Sequence, residues 1–286
     1  MQRHVKARFA ILIMTLLVLS LLTVGCSKNN NSDSDVLTVA MDCSYPPFNT
    51  KDKNGDPAGL EVDLIKDFGK SLGKDVVIED TAWDGLIPSL QTGKADVVIS
   101  SVTITDDRED TVDFSNPYAR MVLELLVNTN SPVQSYEELN NKNVTIAVKN
   151  GTVGYFYAKS AWPNAKLELL DDASVAMAEV KQGKVDAFIY DELSIYNYWS
   201  ANKDTTRIIP ITEKQLEAND FEGYIGIAVA SGNDELRTQL NDFIKQYDKD
   251  GGYEKLSKKY FGDKEQKYRD LGFVWFFDID YQSYDN

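Results

Sequence analysis

The groups in this chain that can do chemistry are one guanidinium, two acids, one ammonium and several hydroxyls at the ends of apolar runs. Arg108 follows Ser100-Ser101-Val102-Thr103-Ile104-Thr105. Its planar fork fits a carboxylate through two parallel bonds, which a lysine cannot copy. The competing reading is a solvent-facing Arg among Asp106, Asp107, Glu109 and Asp110. Asp42, Lys149, Ser100-Ser101 and Tyr190-Asp191 each close or follow a short apolar stretch. Asn150-Gly151-Thr152-Val153-Gly154 reads as a turn opening a helix, where backbone N–H groups attract an anion. Tyr45 and Trp83 stand in loops just past such stretches, able either to sandwich an aliphatic stem or to cover the core. Brought together, these groups would line a site for a zwitterion.

Whether they meet depends on the elements that carry them. Val36 to Ala40 is an apolar, β-branched run; Leu60, Leu64, Ile65, Phe68 and Leu72 then share one helical face, stopped by Gly73. Val76-Val77-Ile78, a helix over Leu86 to Leu90 closed by Gly93, and Val97-Val98-Ile99 follow. Alternating strands and helices predict an α/β fold with parallel sheets. The pattern then recurs. Thr38-Val39-Ala40-Met41-Asp42 matches Thr145-Ile146-Ala147-Val148-Lys149 in type, and Gly93-Lys94-Ala95-Asp96 matches Gly183-Lys184-Val185-Asp186, each before an apolar run. Two similar units therefore lie in tandem. Ligands bind beyond the carboxyl ends of parallel strands, so the matched ends Asp42 with Lys149, and Ser100-Ser101 with Tyr190-Asp191, converge if the units face each other. Ser135-x-x-Glu138 reads as a capping box opening the second unit, Tyr224 to Val229 as a strand, and Phe273 to Phe277 as an apolar patch packed on the body or docking elsewhere.

Composition narrows the chemistry further. Arg3, Lys6 and Arg8, an apolar run of 16 residues from Phe9 to Val24, and Gly25-Cys26 have the marks of a secretory signal, short of the ~20 residues that cross a bilayer. The ending Leu-Thr-Val-Gly-Cys resembles a bacterial lipobox, which implies that Cys26 is acylated and begins the mature chain. Removing Arg3, Lys6 and Arg8 from 30 Lys+Arg leaves 27 against 45 Asp+Glu, a formal −18, which argues against nucleic acid and anionic membrane surfaces as partners. His4 is the only histidine, so a mature chain has no His-based zinc site and no Ser-His-Asp triad. With Cys26 acylated, Cys43 has no disulfide partner and reads as a small packed residue. No cofactor is expected.

Several motifs in fixed order carry a family resemblance. Asp42…Tyr45-Pro46-Pro47-Phe48, Gly59-Leu60-Glu61-Val62-Asp63-Leu64, Trp83-Asp84-Gly85-Leu86-Ile87-Pro88-Ser89-Leu90, Ser100 to Arg108, Asp113-Phe114-Ser115-Asn116-Pro117-Tyr118 and Gly251-Gly252-Tyr253…Lys259-Tyr260-Phe261-Gly262 resemble the polar amino-acid receptors of bacterial ABC transporters, the family 3 solute-binding proteins. The resemblance implies a two-lobed periplasmic-binding-protein fold of type II, each lobe a mainly parallel sheet flanked by helices, joined by two hinge strands near 120–124 and 220–224. The expected division is a signal peptide over 1–25, a tether over 26–35, one lobe from 36–121 with 223–262, the other from 122–222, and an extension over 263–286. The implied function is capture of a polar amino acid by hinge closure and delivery to an ABC permease, as a monomer held outside the cytoplasm by lipid on Cys26, without catalysis. Two other classes compete: a solute sensor, and an enzyme like the dehydratases of cyclic dienyl acids.

The same resemblance assigns roles. Arg108 takes the ligand's α-carboxylate with the Thr103 and Val153 amides and the Thr152 hydroxyl. Asp191 takes the α-ammonium, with Ser101 nearby. Trp83 and Tyr45 flank the side chain, and Asp42 with Lys149 meets its far end. An acid alone favours a cation, but a lysine beside it cancels that preference, which suits a carboxamide such as glutamine. Val148-Lys149-x-Gly151-Thr152 looks most like glutamine receptors, whereas Tyr190 and Cys43 depart from any one pattern.

Overall fold

The computed structural model describes residues 35–283; the leader, Cys26 and the tether as far as residue 34 lie outside the described residues. In chain order the strands are β1 (Val36–Met41), β2 (Thr50–Lys51), β3 (Pro57–Ala58), β4 (Asp75–Asp80), β5 (Val97–Val98), β6 (Val112–Phe114), β7 (Ala119–Arg120), β8 (Leu123–Asn128), β9 (Thr145–Lys149), β10 (Lys166–Leu170), β11 (Ala187–Asp191), β12 (Thr206–Pro210), β13 (Tyr224–Ile225) and β14 (Ala228–Ala230). Two five-stranded sheets result, β4-β1-β5-β14-β6 and β10-β9-β11-β8-β12, while β7 pairs with β13 and β2 with β3. In the first, β1 lies parallel to β4 and β5, and β14 runs against β5 and β6. In the second, β9 lies parallel to β10 and β11, and β8 runs against β11 and β12. The two sheets share one topology, as the tandem match predicts.

A single device explains why Gly-Lys-x-Asp recurs. Gly93 and Gly183 both adopt φ of 68°, ending the helices before β5 and β11 in a left-handed turn that only glycine makes cheaply. Three residues on, the Asp96 carboxylate accepts the Thr38 N–H (2.8 Å) and the Asp186 carboxylate accepts the Thr145 N–H (2.9 Å). Each acid thus ties the turn to the start of its central strand. The central strands are covered on both faces: Val39, Met41, Ile146, Ala147 and Val148 are fully buried, which is why they read as continuous apolar runs rather than alternating ones.

The helix Leu60–Ser71 buries Leu60, Leu64, Ile65 and Phe68 as its periodicity predicts. Gly59 precedes it at φ 131°, where a Cβ would lie 2.3 Å from the Phe48 carbonyl oxygen. Two expectations are corrected. Tyr224 to Val229 is not one strand: Gly226 breaks it, and the chain passes from β13, paired with β7, to β14 in the first sheet. Ile104 and Phe114 press on Gly226 closely enough that a Cβ there would meet both at 3.0 Å. Nor does Ser135 cap a helix. Glu137–Leu139 is a single 3-10 turn, and the Glu138 carboxylate accepts the Gln134 N–H instead. The capping box lies at Thr212 and Gln215.

Residues after Gly262 pack on the body. Phe276 meets Phe48 edge-on (5.1 Å) and Trp275 meets Phe261 (4.9 Å). The Phe276 carbonyl accepts the Arg120 N–H (2.9 Å), and the Tyr281 hydroxyl donates to the Tyr118 carbonyl (2.9 Å). Tyr268 donates to Asn197 (3.0 Å) on the helix Glu192–Ala201. Among the described residues no helix is long and apolar enough to cross a membrane.

Two carboxyls near the crossing strands are half-buried. Burial pushes Glu124, on β8, up to about 7, and pushes Glu192, next to Asp191, up to about 8, with Glu124 adding repulsion. Both values exceed the unfolded range, so the folded state holds more protons between about pH 4.5 and 8 and stability declines as pH rises through that window. Glu192→Gln should therefore raise the melting midpoint at pH 9 by roughly 5 °C and leave it unchanged at pH 4, as scanning calorimetry would show. Equal shifts at both pH values would contradict it.

Candidate functional site

The carboxyl ends of the central strands of both sheets come together, and each predicted side chain can be followed to its place. Asp42 stands one residue past β1, its N–H held by the Ser100 hydroxyl (3.0 Å). Lys149 ends β9, and its ammonium reaches across to the Asp42 carboxylate at 3.0 Å, with side-chain exposures of 6% and 15%. Removing one partner of so shielded a pair costs far more than at the surface, because the other charge is left stranded. The two matched strand ends are thus joined to each other.

Trp83, on the 3-10 turn Trp83–Gly85, lies between two cations: the Lys149 ammonium is 5.3 Å from its ring and the Arg108 guanidinium 5.6 Å. Gly151, at φ 69°, faces the indole, and a Cβ there would sit 3.5 Å from the indole nitrogen. Arg108 lies on the short helix Asp106–Glu109. It donates to the carbonyls of Thr103 (2.6 Å) and Gly151 (3.3 Å), one from each half of the site. Burial alone pushes it down to about 10, with no acid raising it. Arg108 is thus half-buried in the cavity wall rather than free in solvent, and the four acids around it in sequence do not neutralise it.

Thr152 precedes the helix Val153–Ala161 and donates its hydroxyl to the Lys149 carbonyl (2.8 Å). Helix geometry leaves the Val153 and Gly154 amides at its start without a partner inside the helix, while the Tyr155 amide donates to the Thr152 carbonyl (3.0 Å). Gly154 lets the helix approach β11, its Cβ position being 3.2 Å from the Ile189 carbonyl oxygen. Asp191 closes β11, and burial pushes its carboxyl up to about 6, opposed by the Tyr45 hydroxyl and the Lys149 charge. Tyr190 stacks on Phe188 (5.3 Å) and meets Tyr45 edge-on (5.9 Å). The Tyr45 hydroxyl also points at the Met121 sulfur (3.3 Å).

These residues enclose a cavity of about 30 Å³. All the predicted site residues line it except Lys149, which Asp42 and Trp83 engage; Leu123 and Gly154 line it too and were not predicted. Gly154 carried a signal, since it ends the Gly-Thr-Val-Gly turn; Leu123 looks like any strand residue. Tyr45 and Tyr190 also border an adjoining groove of about 620 Å³. Cys43 is a buried free thiol, pushed up to about 11 by burial and by Asp80, hence a protonated packing group. The described residues hold no cluster of three or more His, Cys, Asp or Glu fit for a metal ion.

A guanidinium and a carboxyl, each half-buried and without a strong ion-pair partner, face one cavity at strand ends, an arrangement that can take the two ends of a dipolar solute. Comparison with known proteins agrees with this frame. The L-cystine-binding protein TcyJ of Escherichia coli (strain K12) is 28% identical over 236 residues, covering 82% of this chain and 85% of that protein. The crystal structure of the ancestral amino acid-binding protein AncCDT-1, a precursor of cyclohexadienyl dehydratase, is 37% identical with a TM-score of 0.70, covering 79% of this chain and 96% of that one. An ancestral arginine-binding protein bound to glutamine is 35% identical with a TM-score of 0.69, covering 80% and 98%. The family model for bacterial extracellular solute-binding proteins, family 3, matches residues 37–263. Fold, site and sequence together make this chain a member of the family 3 bacterial extracellular solute-binding proteins.

Proposed function

We propose that this protein captures a polar, uncharged amino acid, with glutamine as the best fit, and hands it to an ABC permease. The observation that carries the reading is the pair Arg108 and Asp191: a half-buried cation bonded only to carbonyls and a half-buried acid whose charge is costly. An α-carboxylate and an α-ammonium would relieve both. Asp42 with Lys149 is net neutral and offers an acceptor and donors together, which favours a carboxamide over a second charge. The arginine-binding relative crystallised with glutamine supports the compatibility of such a site with that ligand.

A cavity of about 30 Å³ has room for about one or two waters. An amino acid enters only when the two halves part. The proposed lobes are 36–121 with 223–262, and 122–222, turning on residues near 120–124 and 220–224, where β7 and β13 pair. Ligand contacts from both halves then shift the population toward the closed form. The protein acts as a monomer, tethered outside the cytoplasm by lipid on Cys26 after loss of residues 1–25. It delivers its cargo unchanged rather than transforming it, in keeping with the relatives named as binding proteins.

The test is a thermal-shift screen of the purified protein against all amino acids: a native-state ligand raises the midpoint by mass action. Glutamine should give a shift, and no shift with any amino acid would end the reading. The Asp191 assignment makes a second, signed prediction. Only its ionised form attracts an ammonium, so affinity should fall about tenfold per pH unit below about 6, its value in the free protein. Asp191→Asn should bind weakly and without that slope. Calorimetry between pH 4 and 8 reads both, and a slope that survives in the variant would contradict the role.

A further inference from the structure

We propose that Glu61 is a positioning residue for the ligand site, acting through the backbone of Ser101. It is fully buried although ionisable, on the second residue of the helix Leu60–Ser71. One carboxylate oxygen accepts both the Ser101 N–H (2.8 Å) and the Ser101 hydroxyl (2.6 Å), and also the Tyr118 hydroxyl; the other accepts the Asn49 side-chain amide. All four groups donate to it, three of them to one oxygen; an amide keeps one such oxygen but turns an NH2 on either the Asn49 amide or the Ser101 pair. Nothing in the binding reading uses this group.

What it holds is unusual. Ser101 has φ of 50°, left-handed backbone that a residue with a Cβ adopts only when its surroundings impose it. This reversal lies inside the binding loop. Before it, Ser100 caps the Asp42 N–H; after it, the Thr103 carbonyl receives Arg108. The reversal sits between the two residues that make those contacts. The same carboxylate reaches Tyr118, next to β7, and Asn49, whose backbone closes the Tyr45 turn through N–H···O bonds of 2.7 and 2.9 Å. One buried acid therefore fixes the binding loop, a crossing strand and the aromatic loop relative to each other.

This inference rests on the amino-acid-binding reading, and a double-mutant cycle separates the two. The probe is L-glutamine, or whichever amino acid gives the largest thermal shift, titrated by calorimetry into the purified protein and into E61Q, S101G and E61Q/S101G. Failure of the unaltered protein to bind any amino acid would sink the functional reading; the positioning claim is then decided on the ligand-free protein by amide exchange. If Glu61 acts through Ser101, E61Q lowers affinity at least tenfold. The same change made in the S101G background costs less than about threefold, because glycine holds a positive φ unaided. In the ligand-free E61Q protein, exchange quickens at least tenfold over residues 100–103 and little in the sheets. Equal losses in both backgrounds, unchanged affinity in E61Q, or exchange quickened uniformly would overturn the proposal. Should E61Q fail to fold, E61Q/S101G decides: a folded, binding double variant supports the role, and a second failure to fold contradicts it.

Discussion

Arg108→Ala is expected to weaken amino-acid binding by about 2–5 kcal/mol, roughly thirty- to several-thousand-fold. The size follows from burial. The guanidinium is the only group in the cavity wall placed to meet an α-carboxylate with a fork of donors, and it is already partly desolvated, as its lowered pKa of about 10 reflects. Truncation leaves the incoming carboxylate in the same half-buried place without a cation. Arg108→Lys should recover little, since one ammonium cannot replace two N–H donors at the angle the site fixes. The ligand-free protein should still melt cooperatively, because Arg108 bonds only to the carbonyls of Thr103 and Gly151 and closes no ion pair there. Calorimetric titration beside a ligand-free melt reads both, and an affinity within threefold of the unaltered protein would remove Arg108 from the site.

Lys149→Met should change which amino acid binds. The lysine and Asp42 neutralise each other at 3.0 Å in a shielded place. Replacing the lysine strands the acid, which costs on the order of 3–5 kcal/mol of stability when a buried partner is lost. A ligand that brings its own cation offsets part of that. The variant should melt earlier alone, bind glutamine more weakly, and gain for arginine or lysine about ten- to a hundredfold relative to glutamine, or about 1–3 kcal/mol. A competition titration with both ligands measures the ratio. An unchanged ratio would mean that the pair does not face the ligand's side chain.

The fold was legible wherever local rules coincide with the tertiary structure. Gly93 and Gly183 turn, Asp96 and Asp186 each bond the central strand, and the repetition of that short text announced two like sheets. The candidate site was legible as a gathering of residues because strand ends are a topological place that a repeat can locate; the convergence of Asp42, Lys149, Ser100 and Asp191 follows from it. Other features depend on distant partners. The break at Gly226 comes from Ile104 and Phe114, more than a hundred residues away. At Ser135 the competition is local: the Glu138 carboxylate takes the neighbouring Gln134 N–H, an alternative the four-residue pattern does not distinguish. Glu61 did leave a trace, falling with Ile65 and Phe68 on the buried helical face, but its reason, Ser101, is 40 residues on. Arg108 could not be told from a surface residue until the cavity was seen around it.

Arg108 and Asp191 are proposed to grip both α-groups of one small molecule at once. The direct measurement is a calorimetric titration with the amino acid giving the largest thermal shift, beside two analogues lacking either the α-carboxylate or the α-ammonium. The prediction is one site per chain for the intact amino acid and at least hundredfold weaker binding for each analogue. An analogue that binds as tightly as its parent would contradict it.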